Sequence, residues 1–186
     1  MSDTTNSTNS TNSTEQALTG ERADLREALR KHRQFLTFTV RDLDDEQAGR
    51  RTTASELCLG GLIKHVTSVE RAWADFIVKG TSAMPDFTSL TEEDLARRAD
   101  DFRMLPGDTL AGVLAEYAEV AARTDELVAT LPDLDVSHLL PKAPWVQPGT
   151  RMSARGVLLH VIAETAQHAG HADIIRESLD GAKTMG

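Results

Sequence analysis

The chain has 186 residues, enough for one domain with a substantial core, and carries 29 acidic against 20 basic side chains, a formal charge of −9. That balance argues against a nucleic-acid partner, which calls for a basic patch, and against docking on an anionic membrane. No apolar run is long enough to span a bilayer, and the single cysteine, Cys58, cannot close an internal disulfide, so a reducing cytoplasm is expected.

Residues 1–14 repeat Thr, Asn and Ser and offer nothing to pack, so a disordered tail is expected ahead of one folded domain over residues 15–186. A first helix is predicted from Glu15 to about Leu43, with Leu25, Leu29, Leu36 and Val40 on one face. His32 lies close to that face and reads as a core or boundary residue rather than a ligand. After a polar, turn-like stretch, a second helix is predicted from Ser55 to a stop at Gly80. Its inner face is read as Cys58, Leu62, His65, Val69, Ala72 and Phe76, which sets His65 in the middle of an apolar stripe. The pair Gly60-Gly61 would let another helix or a ligand approach closely.

Thr81 to Gly107 reads as a connection with one short helical piece, whose Thr91 to Asp94 forms an acid-rich first turn. Asp108 or Thr109 then caps a third long helix reaching about Leu131; Leu110, Val113, Tyr117 and Val120 feed the core and its charges form a solvated face. Pro132 to Met152 holds four of the six prolines and is expected to be a loop without a strand. Trp145 in that loop is either a pocket wall or an anchor for the loop, and His138 carries no assigned role.

The last helix is the most informative. Ser153 is a ready N-cap and Gly181 a natural stop, with no proline between them. His160, Glu164, His168 and His171 fall on one stripe beside Val157, Val161, Ala172 and Ile175. Glu164 and His168 are one turn apart, so their side chains can converge on a point in front of the helix. Burying them unpaired is costly, and a bound metal would remove that cost. Spacing leaves the ligand set open, because His160 precedes Glu164 by the interval at which His168 follows it. Two imidazoles and a carboxylate are the donors of a catalytic zinc site with one open position, where an arriving thiol would become a thiolate and water would become hydroxide. Four long helices and no convincing strand give an all-α four-helix bundle with long crossover loops.

The segments LGGLIKHVTSVERAW and SARGVLLHVIAETAQHAGHADIIRESLDG resemble the DinB-like superfamily of metal-dependent four-helix bundles. Within it they are most similar to the branch of mycothiol-dependent maleylpyruvate isomerase and related thiol S-transferases. The resemblance implies that His65, Glu164 and His168 bind a divalent metal, zinc before nickel. His160 and His171 match nearby positions that are not the usual ligands and fall behind the ligands or in the pocket. Arg155 and Trp145 enter as pocket residues by position only. The resemblance further implies mycothiol as thiol co-substrate, a small electrophile as its target, and a role in detoxification, with a homodimer compatible. The isomerase carries an additional C-terminal domain, for which this chain leaves no room after its last helix. A hydrolase using metal-bound hydroxide and a non-catalytic, stress-related metal-binding protein remain as alternatives. A non-haem iron oxygenase fits the donor set but not the helical scaffold.

Overall fold

Local capping decides where the helices of this chain begin and end. The computed structural model describes residues 18–184, so the expected tail over residues 1–14 and the predicted start of the first helix at Glu15 lie outside it. The first helix, α1, runs over Gly20–Phe38. It stops short of Leu43 because the next residues wind into turns, with the Thr39 hydroxyl donating to the Leu36 carbonyl at 2.7 Å and Asp42 in the left-handed region at φ 60°. A short helix, α2 (Asp45–Gly49), is set by a reciprocal cap between Asp44 and Gln47. The second long helix, α3 (Leu59–Lys79), starts after Cys58 rather than at Ser55 and leads into a 3₁₀ turn, Gly80–Ala83.

Thr91 and Asp94 cap each other at the start of α4 (Glu92–Asp100), and Thr109 caps α5 (Leu110–Thr130) through the Gly112 amide. The last helix, α6 (Ala154–Asp180), has the predicted limits. Ser153 Oγ accepts from the Gly156 amide at 3.1 Å, and Gly181 closes the helix at φ 80°.

The four long helices α1, α3, α5 and α6 pack as a bundle, α3 against α5 and α6, and α1 against α6 and α5. One core cluster gathers Leu36, Leu62, Val66, Tyr117 and Ala172; the other gathers Leu29, Phe76, Val128, Leu158 and Val161. The buried face of α3 differs from the one expected. Ile63, Val66, Thr67, Glu70, Ala74 and Ile77 join Leu62 and Phe76 inside, while His65, Val69 and Ala72 are only half-buried. The helix is apolar on two sides, and the side bearing His65 faces a cavity rather than the core.

Two further differences concern polar residues and strands. The charges of α5 are not all solvated, because Asp125 reaches Arg33 Nη1 at 2.7 Å, and Arg33 also pairs with Glu70, which is 0% exposed. The proline-rich stretch contains a two-stranded antiparallel sheet, β1 (Ser137–Leu139) with β2 (Arg151–Ser153), in the register His138 opposite Met152. Strands of three residues are too short to show an alternating pattern in sequence. Among the described residues, no helix is long and apolar enough to cross a membrane.

Candidate metal centre

His65 on α3 and Glu164 and His168 on α6 come together across the α3–α6 contact, each offering a ligand atom within 4.8 Å of the others. Ligand bonds of about 2.0–2.2 Å at a tetrahedral centre would put the donors roughly 3.4 Å apart, so a small closure of side chains completes the set. The donor chemistry fits a divalent ion.

Each of the three side chains has a close neighbour. Gly61 lacks a side chain at the point where the backbone of Phe102 crosses α3; a Cβ there would meet the Phe102 carbonyl oxygen at 2.0 Å. This approach lays the Phe102 ring on His65, with centroids 3.9 Å apart and planes 23° from parallel. Lys64 ties the same segment down, donating to the Arg103 carbonyl at 2.9 Å and pairing with Asp108 at 2.5 Å. Glu164 lies between two rings, its Oε1 3.6 Å from His160 Nε2 and its Oε2 3.6 Å from His168 Nε2. The Nδ1 atoms of His168 and His171 are 3.4 Å apart, so one ring donates and the other accepts.

Burial, then repulsion from His168 and Arg98, pushes His65 down to about 4. Burial also lowers His168, with Glu164 opposing the shift and His171 adding to it. Both rings are therefore neutral at neutral pH, the form that donates a lone pair to a metal.

The site opens into a cavity of about 600 Å³, to which His65, Glu164 and His160 contribute. Trp73, edge-on to His160 at 4.8 Å, and Phe102 form its inner walls. Trp145, 73% exposed, lines the outer wall beside Phe87 at 5.7 Å between ring centroids. The hairpin loop carrying Trp145 is pinned to that wall by a bond from the Phe87 amide to the Lys142 carbonyl, 2.8 Å.

Arg155 is not brought to the cavity. Its guanidinium pairs with Glu21 and Asp135, whose carboxylates hold its pKa above the ordinary range. His138 sits in β1 with Nε2 3.1 Å from the Ile77 carbonyl, and His32 lies edge-on to Phe35, 6.1 Å between centroids. Sequence reasoning missed Phe87, Arg98, Asp101 and Phe102, all of which line the cavity from the connection between α3 and α5. The one signal for them was the glycine pair, which marked a close approach without naming what approaches.

A solved structure titled as a conserved protein of locus from Enterococcus faecalis shares the fold, with a TM-score of 0.64 at 12% identity over 89% of this chain and 100% of that one. No curated protein matches the sequence. Residues 24–181 match the family described as mycothiol-S-transferase. The chain belongs to the mycothiol-S-transferase family.

Proposed function

We propose that the protein is a metal-dependent thiol S-transferase that joins mycothiol to a small electrophile, with His65, Glu164 and His168 holding a zinc ion. The observation that carries this reading is a two-histidine, one-carboxylate cluster opening directly into a cavity of about 600 Å³. A closed structural site would use four protein ligands, usually rich in cysteine, and Cys58, the one free cysteine, is buried and is not among the cluster's donors.

A divalent ion bound there supplies a Lewis acid that lowers the pKa of an arriving thiol, so that the thiolate is present at neutral pH. The chain's residues do the rest. His160 Nε2 stands 3.6 Å from one oxygen of Glu164, and His168 Nε2 the same distance from the other. His168 Nδ1 lies 3.4 Å from His171 Nδ1, and with His171 as the acceptor Nε2 of His168 would be left to bind. The aromatic walls exclude water from the sulfur and hold the electrophile beside it. The thiol proton passes to solvent, and the sulfur would form its bond to the electrophilic carbon as the leaving group departs with its electron pair. Where the reaction is an addition, the displaced pair is protonated instead. Such chemistry belongs to a reducing cytoplasm and to detoxification.

Metal content of the purified, tag-free protein, followed by titration with mycothiol, tests the reading. Near-stoichiometric zinc and saturable thiol binding are expected. Metal without thiol binding would turn the assignment toward hydrolysis or a silent metal site. Protein isolated without metal, and unable to take it up, would overturn it.

A further inference from the structure

The cavity beside the three ligands is unevenly walled. Trp73, Phe87, Phe102 and Trp145 set aromatic rings among its aliphatic lining, and Arg98 with Asp101 forms a charged stretch besides Glu164. Arg98, in the last turn of α4, lies with its guanidinium carbon 5.2 Å from the centroid of the Phe87 ring and lines the cavity. Its neighbours are engaged, Arg97 with Asp94 at 2.9 Å and Arg103 with Asp100. Among the described residues, Arg98 makes no ion pair within 4.0 Å. The guanidinium sits over the Phe87 ring, and its forked donors, with no ion pair among the described residues, suit a planar anion.

Asp101 shares this wall; burial raises its pKa, and Ser68, Lys64 and Arg98 oppose that rise. Its charge sets a limit on what Arg98 can take. One guanidinium beside one carboxylate suits a monoanion better than a phosphate dianion, and Lys64 is already committed to Asp108 at 2.5 Å.

We infer that the electrophilic co-substrate is a flat, aromatic-sized molecule bearing a carboxylate, its ring seated among Trp73, Phe87 and Trp145 and its carboxylate paired with Arg98. The inference rests on the transferase reading for the word co-substrate, but the recognition itself does not depend on a thiol. Anchored at Arg98, the carboxylate fixes one end of the molecule and turns the rest toward the ligand cluster.

The test is equilibrium binding of 3-phenylpropanoate and of its neutral isostere, 3-phenylpropanamide, without thiol. Tryptophan emission reports it directly, because Trp73 and Trp145 are the two tryptophans of the chain and both line the cavity. Metal-loaded and chelator-treated protein are compared, each with the parent residue and with Arg98→Gln. In the parent the carboxylate is expected to bind about tenfold more tightly than the amide, with and without metal. Arg98→Gln should bring the ratio close to one while leaving the amide's affinity unchanged. A preference that survives Arg98→Gln overturns the inference, and so does one that vanishes when metal alone is removed, since the ion would then be reading the carboxylate. No binding of either probe would also overturn it. Loaded protein that binds no thiol would sink the transferase reading and leave this comparison intact.

Discussion

Gly61 and Phe102 meet backbone to backbone, so closely that a Cβ on residue 61 would lie 2.0 Å from the Phe102 carbonyl oxygen and 2.6 Å from the Arg103 nitrogen. A chain segment cannot retreat from such a clash as a flexible side chain can. Gly61→Ala should therefore displace the segment carrying Phe102 and lift its ring from His65. We expect a loss of about 1–3 kcal/mol in unfolding free energy and roughly tenfold weaker metal binding. Gly170, in α6 with nothing within 4 Å of its would-be Cβ, is the control. Gly170→Ala should be neutral or stabilising by about 0.5–1 kcal/mol. Urea unfolding and competition with a metal chelator measure both, and Gly61→Ala binding metal like the parent would refute the positioning role of this contact.

The proposed ligand set is separable from the residues beside it. Glu164→Gln, His65→Ala and His168→Ala should each lose most of the bound metal, while His32→Ala, altered beside Phe35 on α1, should retain it. His171→Leu removes the ring nitrogen 3.4 Å from His168 Nδ1 and should weaken metal binding by about tenfold. His171→Asn, which can still accept a hydrogen bond, should recover most of that loss. Metal analysis of the purified variants decides the first group, and chelator competition the second. Normal metal content in both Glu164→Gln and His168→Ala would end the ligand assignment.

The sequence made α6 legible because every signal there is local. Ser153, Gly181 and the turn between Glu164 and His168 act within one helix, and helical spacing alone brings the two donors together. What it could not show was which of His160, Glu164, His168 and His171 meets a residue from another element. His160 and His168 both reach α3, but His160 meets Trp73 and His168 meets His65, each at 4.8 Å between ring centroids, and only the tertiary contact decides which. The face of α3 was misjudged for a related reason. Its apolar residues extend around two sides, and periodicity does not tell a core from an aromatic-walled cavity. Arg98 and Asp101 were invisible because an exposed, charged short helix looks the same whether or not a pocket lies beside it. Glu70 was read past because its partner, Arg33, stands 37 residues away on α1.

That buried pair makes a stability prediction independent of the metal. Arg33 contacts Glu70 through Nε at 3.2 Å and Nη2 at 2.5 Å, and Glu70 is 0% exposed. Glu70→Met would leave the guanidinium with only the partly exposed Asp125 as a counter-charge. The expected cost is about 3–5 kcal/mol, while a paired change of Arg33 and Glu70 to methionine should recover most of it. Unfolding curves of the two single variants and the double one form the cycle that checks this. A single change costing less than the double would refute the account.

The two histidines of the cluster, His65 and His168, also give the metal-free protein a pH dependence of definite sign. Unfolded, both rings titrate near their ordinary value of about 6.5; folded, His65 is pushed down to about 4 by burial and His168 is lowered in the same direction. Between those values the unfolded chain holds more protons than the folded one, so stability falls as the pH drops from about 6.5 toward 4 and is level above that range. The part due to His65 should be on the order of 1 kcal/mol, discounted because the ring is only half-buried. His65→Asn carries no titrating ring and should flatten the curve over this interval. Bound metal should steepen it, because protons then compete with the ion for the same lone pairs. Urea midpoints of parent and variant, recorded with and without chelator across this range, provide the check. A parent whose metal-free stability rises on acidification, or a slope unchanged in His65→Asn, would show that the neutral imidazole at α3 is not part of what folding selects.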